Sequence, residues 1–263
     1  MMMRKSLSHR VAGPMRCKNL LIVFLLSMTF VSCSSHKKLA YDFVNKTKGA
    51  SVAFYVPEEL KKQNVRKDCN INNPELFVMD EAQQRDTIEA RTKIVNKIND
   101  EIFLDVMITS FEKTLEDYGL KLEYWEHDGM KPDSLHWIVD LSHVEIQEYV
   151  TYSLSECGVE GYAEFFPITA VNVASWFGLM NDEESHFLYT EQDCEDYIAE
   201  CYYTLDSLNN LVANIECKRL TIDDFYNFAV VLGKLYAGYS YDFFMNEYVR
   251  KEMRRREMEY SDD

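Results

Sequence analysis

The first 33 residues set the terms for the fold, because they are a different kind of polypeptide from the rest of the chain. Arg4, Lys5, Arg10, Arg16 and Lys18 are basic with no acidic residue among them, and Leu20 to Val31 (LLIVFLLSMTFV) is an uncharged apolar run of twelve. At about 1.5 Å rise per residue a helix of that length covers about 18 Å, well short of the roughly 30 Å hydrocarbon core of a bilayer. The run is too short to span and reads as a processing segment, 1–32, that contributes nothing to the folded domain. The fold must be sought after Cys33.

The run ends in Phe30-Val31-Ser32-Cys33, with a small residue directly before a cysteine. Charge, apolar length and this junction together resemble the signal peptide and lipobox of Gram-negative lipoproteins over residues 15–33. That family more often has Leu where Phe30 stands and Ala or Ser where Val31 stands. The resemblance implies cleavage between Ser32 and Cys33, acyl chains on Cys33, and attachment to a membrane through that lipid, each buried methylene contributing about 0.8 kcal/mol. Ser34 is not the aspartate that retains enteric lipoproteins at the inner membrane, and no acidic run follows Cys33. The expectation is therefore the outer membrane, on the periplasmic face rather than the cell surface. Met15-Arg16-Cys17-Lys18 would open a leader of ordinary length, and whether translation starts at Met1 or Met15 stays open.

The chain carries 28 Lys+Arg against 44 Asp+Glu, and loss of the five leader bases moves its formal charge from -16 to -21. Phosphate backbones are repelled by such a surface, so no nucleic-acid partner is expected. Plain solubility explains the acidity, and recognition of a basic partner is the competing reading. With 13% aromatic residues the chain is rich enough to build a core. Residues 33–48 read as the lipidated cysteine and a polar tether, 49–250 as one domain, and 251–263 as a charged tail.

Inside 49–250 the expected class is α+β: a mainly antiparallel sheet with two long helices on one face. Ser51 to Val56 reads as a strand stopped by Pro57, with a loop to Val78. Asp80 and Gln83 have the spacing of a capping box, and no Gly or Pro interrupts the chain from there to Gly119, which predicts one long helix. Its expected stripe is Ile94, Ile98, Ile102, Leu104, Ile108, Phe111, Leu115 and Tyr118. Leu120 to Tyr124 alternates as a strand before turn residues at Asp128-Gly129 and Pro132-Asp133. From Leu135 a long strand changes phase near Ser142-His143, the mark of a β-bulge. Tyr162 to Phe177 is apolar on both faces, as a central strand is, and His186 to Thr190 adds another. Thr221 with Asp224 caps a last helix, with Phe225, Phe228, Leu232, Tyr236, Tyr239 and Phe243 as its expected stripe.

Besides Cys33, the mature chain has Cys69, Cys157, Cys194, Cys201 and Cys217, an odd set with no metal-knuckle spacing. Tyr197 to Leu205 and Leu211 to Cys217 read as a hairpin centred near Asn209. That centre would set Cys201 opposite Cys217, and a disulfide between them is weighed against two buried thiols.

No GxSxG, HExxH, GxGxxG or GxxxxGK[ST] motif is present, and no cofactor or metal is expected. His143 and Glu145 share a strand face whereas His136 falls on the other, which argues against a joint metal site. Carboxylates such as Asp182, Glu183, Glu184, Asp223 and Asp224 read as a solvated loop and a helix start rather than as general acid and base. Trp125, Trp137, Trp176, Tyr236, Tyr239, Tyr241 and Tyr248 read mainly as core, with an exposed aromatic platform as the alternative. Two function classes stand. One is a non-enzymatic envelope lipoprotein that assists assembly, transport or maintenance through contacts with other envelope proteins. The other is a lipid-anchored glycan or lipid binder, or a cell-surface hydrolase of unrecognised type. A shallow groove or unpaired sheet edge would favour the first, and an enclosed pocket with converging carboxylates the second. In architecture alone the order of elements is similar to small outer-membrane lipoproteins that aid lipopolysaccharide assembly or accompany transporters.

Overall fold

The computed structural model describes residues 36–57, 59–70, 72–124, 137–156, 163–181 and 185–261. Ser32, Cys33, Trp125, His136, Cys157 and the acidic residues 182–184 lie outside the described residues, as does the turn at 125–136. Among the described residues the class is α+β, with five α-helices, a six-stranded sheet and a separate two-stranded hairpin.

The chain divides into two compact units. Thr47–Phe244 forms one, and the described residues 36–46 together with 245–261 form the other. In the second unit, the segment expected to be a tether is helical over residues 36–46 (α1). Leu39 and Phe43, one turn apart, are both fully buried, and the Phe43 ring lies 5.6 Å from that of Tyr248. A polar-looking sequence with two apolar residues at i and i+4 is enough for a one-sided helix. The expected charged tail likewise belongs to a helix, since α5 runs Ile222–Ser261. Arg250 pairs with Glu247, and Arg255 with both Glu252 and Glu259, at the three- and four-residue spacings that support a helix surface.

In the larger unit, β1 (Ser51–Tyr55), β2 (Lys61–Asn64), β3 (Lys121–Tyr124), β4 (Trp137–Glu156), β5 (Ala163–Asn181) and β6 (Ser185–Glu195) make the sheet. Its order is β3-β1-β4-β5-β6, with β2 also pairing β4. The expected mainly antiparallel sheet is instead mixed. β4, β5 and β6 are antiparallel, but β1 runs parallel to both β3 and β4, and β2 parallel to β4. Alternation reveals a strand and not its direction; here the helical crossover between β1 and β3 makes parallel pairing possible. The phase change does appear as a register shift between Leu141 and His143. It keeps Leu141 and then Val144, Ile146 and Glu148 turned to the same buried side.

The single long helix expected from Asp80 to Gly119 is two. α3 (Glu81–Arg91) follows the short α2 (Pro74–Phe77), and α4 covers Asp100–Asp117. The Asp80–Gln83 capping box is present. The break comes from β4: the buried Glu148 carboxylate accepts the N–H groups of Lys93 (2.9 Å), Ile94 (2.8 Å) and Val95 (3.1 Å). In a continuous helix these groups would bond back to the preceding turn. Ile94 and Ile98 are buried in the linker rather than on a helical stripe, and Ile102 is exposed. Asn99 then caps α4, whose buried side is Phe103, Leu104, Met107, Phe111 and Leu115. Gly119, with φ +87°, ends it as expected.

α4 and the first part of α5 cover one face of the sheet. Phe54 of β1 stacks on Phe111 of α4 at 4.6 Å, and Phe177 of β5 meets Tyr236 of α5 edge-on at 4.5 Å. Thr221 and Asp224 cap α5 reciprocally. Its buried stripe is Phe225, Ala229, Leu232, Gly233, Tyr236, Ala237, Ser240 and Phe244. Small residues alternate with large ones where α4 comes close, which moves the predicted Tyr239 out to solvent and Phe243 to the flank, against His186.

The hairpin of β7 (Tyr197–Leu205) and β8 (Leu211–Lys218) forms as expected, with Asn209 at positive φ and Asp206 accepting from the N–H of Leu208 and Asn210. Its centre is Leu208, one residue earlier than predicted, because Leu205 pairs Leu211. Cys201 therefore faces Ile215, and a shift at Ile198/Glu200 sets Cys217 opposite Ile198. The expected Cys201–Cys217 bond is not made: Cys217 is a free thiol, as are Cys69 and Cys194, and Cys201 is disulfide-bonded elsewhere. Non-reducing thiol titration of denatured protein is expected to lose one thiol in Cys217→Ser and to gain one in Cys201→Ser. A gain in Cys217→Ser would restore the predicted pairing.

Candidate functional site

Strand alternation assigns opposite neighbours to opposite faces. Since Phe54, Leu179 and Phe177 face the helices, the other face carries His143, Glu145, Gln147 and Tyr149 from β4, and Asn172, Ala174 and Trp176 from β5. β6 adds Phe187, Tyr189, Glu191, Asp193 and Glu195, and β2 adds Lys61 and Gln63. This face is open over its centre and outer strand: Trp176 is 36% exposed, Tyr189 53% and Phe187 75%.

An aromatic row crosses the three antiparallel strands. His143 lies 5.0 Å from Trp176, and Trp176 4.9 Å from Tyr189, ring centre to ring centre. These residues are direct cross-strand partners. Their tilted, ring-to-ring contacts stiffen one another and leave an edge of each aromatic toward solvent. Toward β1 the row passes into a small apolar floor of Ala53 and Ile138, with Tyr55 and Met180 against it.

Beside the row lies a polar lattice. Glu145 accepts from Gln147 Nε2 at 2.8 Å, from Gln63 Nε2, and from Lys61 Nζ at 3.2 Å, and His143 Nε2 stands 3.8 Å away. Burial works to raise its carboxyl, but the bonds from Gln147 and Lys61 and the nearby cations outweigh that and hold it below the ordinary glutamate value. It is thus a fixed anion in the floor. Further along the face, on β6, Asp193 Oδ1 accepts from Tyr149 Oη (2.9 Å) and Asn172 Nδ2 (3.0 Å). The Tyr189 hydroxyl donates to Glu191, and that bond, with burial and the same carboxylate's charge, raises the phenol to about 12. Side chains tied to each other in this way offer a preordered surface, one with more carboxylates than cations.

Elsewhere, buried carboxylates are engaged in holding the fold. Asp196 accepts from the N–H groups of Thr169 and Leu220 and pairs with Arg219 at 3.3 Å, beside a cavity of about 310 Å³ that Lys93, Ile94 and Thr169 also line. Both its oxygens are used, so it is not poised as an acid or base. Among the described residues no three His, Cys, Asp or Glu side chains converge as a metal site.

Of the described members of the predicted aromatic group, Trp176 alone sits on the open face. Trp137 stacks on Phe244 in the core, Tyr236 is buried against Ser175 (2.8 Å between hydroxyls), and Tyr241 lies against Tyr118. Tyr239 is exposed on α5, and Tyr248 belongs to the smaller unit. Sequence reasoning missed the β6 contribution, because it ends that strand at Thr190. The period-two run Tyr189, Glu191, Asp193, Glu195 is the signal that extends it. Comparison with known protein families and with curated proteins finds no match for this chain.

Proposed function

We propose that the protein is a lipid-anchored envelope protein, held through Cys33, that performs no chemistry of its own and acts by docking a basic partner protein on the open sheet face. One observation carries this reading: an exposed aromatic row, His143–Trp176–Tyr189, set among fixed carboxylates on the open part of the sheet face. Protein contact surfaces concentrate binding energy in a few aromatic residues and gain specificity from charge at the rim. β6 stands at the end of the strand order among the described residues, so its outer backbone edge adds an extended-chain docking mode. The location rests on the lipobox: outer membrane, facing the periplasm.

The test is crosslinking in intact cells followed by affinity capture and mass spectrometry. The double variant Trp176→Ala/Tyr189→Ala is expected to weaken capture of a specific envelope protein by tenfold or more, since losing even one such anchor, worth about 2 kcal/mol, costs more than a factor of ten. Cys33→Ser should lose the partner by leaving the membrane. Unchanged capture by a folded double variant, judged by its thermal melt, would remove the face from the proposal. A second reading has its own support: Trp176, with Tyr189 and Glu191 on the neighbouring strand, is the chemistry that stacks and hydrogen-bonds a sugar ring. A glycan array that lights up for the wild type and not for Trp176→Ala would select it.

A further inference from the structure

α1 is the described element nearest in sequence to Cys33: Ser34 and Ser35 alone separate that cysteine from residue 36, the first described residue of the helix. Even fully extended, such a link reaches about 10 Å. Wherever lipid on Cys33 enters a membrane, α1 stands at its surface.

The helix has two faces. Leu39 and Phe43 are buried, whereas Lys37, Lys38, Tyr41 and Val44 are exposed, Tyr41 by 72% and Val44 by 44%. Three- and four-residue spacings bring these four onto one stripe opposite the buried pair. At the helix end the Lys46 ammonium sits 5.3 Å from the Tyr248 ring centre. A tyrosine and a valine flanked by lysines is the chemistry of a helix lying in a bilayer interface. The ring rests at headgroup level, the aliphatic group enters the acyl boundary, and ammonium groups reach lipid phosphates.

Charge selects the occupant. The chain as a whole is at -16, yet residues 36–46 carry Lys37, Lys38 and Lys46 against Asp42 alone. A basic stripe here, next to the expected lipid, complements an anionic surface. We infer that the exposed stripe of α1 lies on the membrane, its lysines paired with phospholipid phosphates, so that attachment is by lipid and helix together. The inference rests on the lipidation of Cys33 proposed above.

The experiment uses the full protein purified from membranes and reconstituted into phosphatidylethanolamine/phosphatidylglycerol vesicles, with phosphatidylcholine vesicles for comparison. Intact mass reports lipid on Cys33 and flotation reports attachment. A water-soluble amine-acylating reagent then reads each lysine. Lys37 and Lys38 are expected to react about fivefold more slowly in the anionic vesicles, with Lys97, Lys121 and Lys234 as references. Raised salt should reverse the protection. Equal reactivity in protein that floats and carries the lipid mass overturns the helix contact and leaves the anchor standing. An unmodified Cys33 overturns both.

Discussion

Replacing Glu148 by alanine is expected to lower the stability of the larger unit by about 3–5 kcal/mol, the cost of breaking a buried charged cluster by removing one member. Glu148 is fully buried on β4. Its carboxylate accepts three successive backbone N–H groups, those of Lys93, Ile94 and Val95, and lies 3.8 Å from the Arg66 guanidinium. Alanine leaves the buried N–H groups of Ile94 and Val95 without a partner, and each such orphan costs about 1–3 kcal/mol. Ile94, Val95 and Ile98, which the linker packs into the core, would lose their support as well. Urea unfolding followed by near-ultraviolet circular dichroism measures the change. Glu148→Gln keeps volume and one acceptor oxygen and should fall between wild type and alanine. A loss below about 1 kcal/mol in Glu148→Ala would mean that the linker is held by something else.

The second large effect is a reversal of sign between two glycines of one helix. In a free helix, Gly to Ala stabilises by about 1 kcal/mol. Gly238 has nothing within 4 Å of the position a Cβ would take, so Gly238→Ala should gain up to that amount. At Gly233 an added Cβ would lie 2.9 Å from Phe111 N and from Ser110 Cβ, and closer still to Met107 O. These are mostly backbone atoms of α4 and cannot turn aside. The Ser110 hydroxyl also donates to Val230 O at 2.8 Å across the same crossing, which fixes the approach. Gly233→Ala is therefore expected to destabilise by about 2–3 kcal/mol, as overpacking does. Paired thermal melts should show opposite shifts. Shifts of the same sign would mean that α4 and α5 stand further apart than these distances require.

The site was partly legible. Trp176, His143 and Glu145 stand out from the sequence, and the bulge that turns His143 and Glu145 to the open face is read from the phase change near Ser142-His143. The aromatic row was not legible, since it exists only when β4, β5 and β6 align His143, Trp176 and Tyr189 as cross-strand neighbours. Register between strands separated by a loop depends on how both bury their other face, information that no short window contains.

The chain by itself determined what local chemistry determines. Asp80 with Gln83 and Thr221 with Asp224 start helices because a side-chain oxygen meets N–H groups three residues away. Gly119 ends one because only its backbone takes that turn cheaply. Alternation laid out the hairpin and the strands other than β2, which falls in the segment expected to be a loop. Tertiary structure decided the rest through partners distant in sequence. Glu148, more than fifty residues on, split the predicted long helix by taking its N–H groups. The closing pair Leu205–Leu211 moved the hairpin by one residue and parted Cys201 from Cys217. α4 selected the small-residue side of α5 as its buried face. In each case two outcomes differ little in local energy, and a long-range contact supplies the deciding kilocalories.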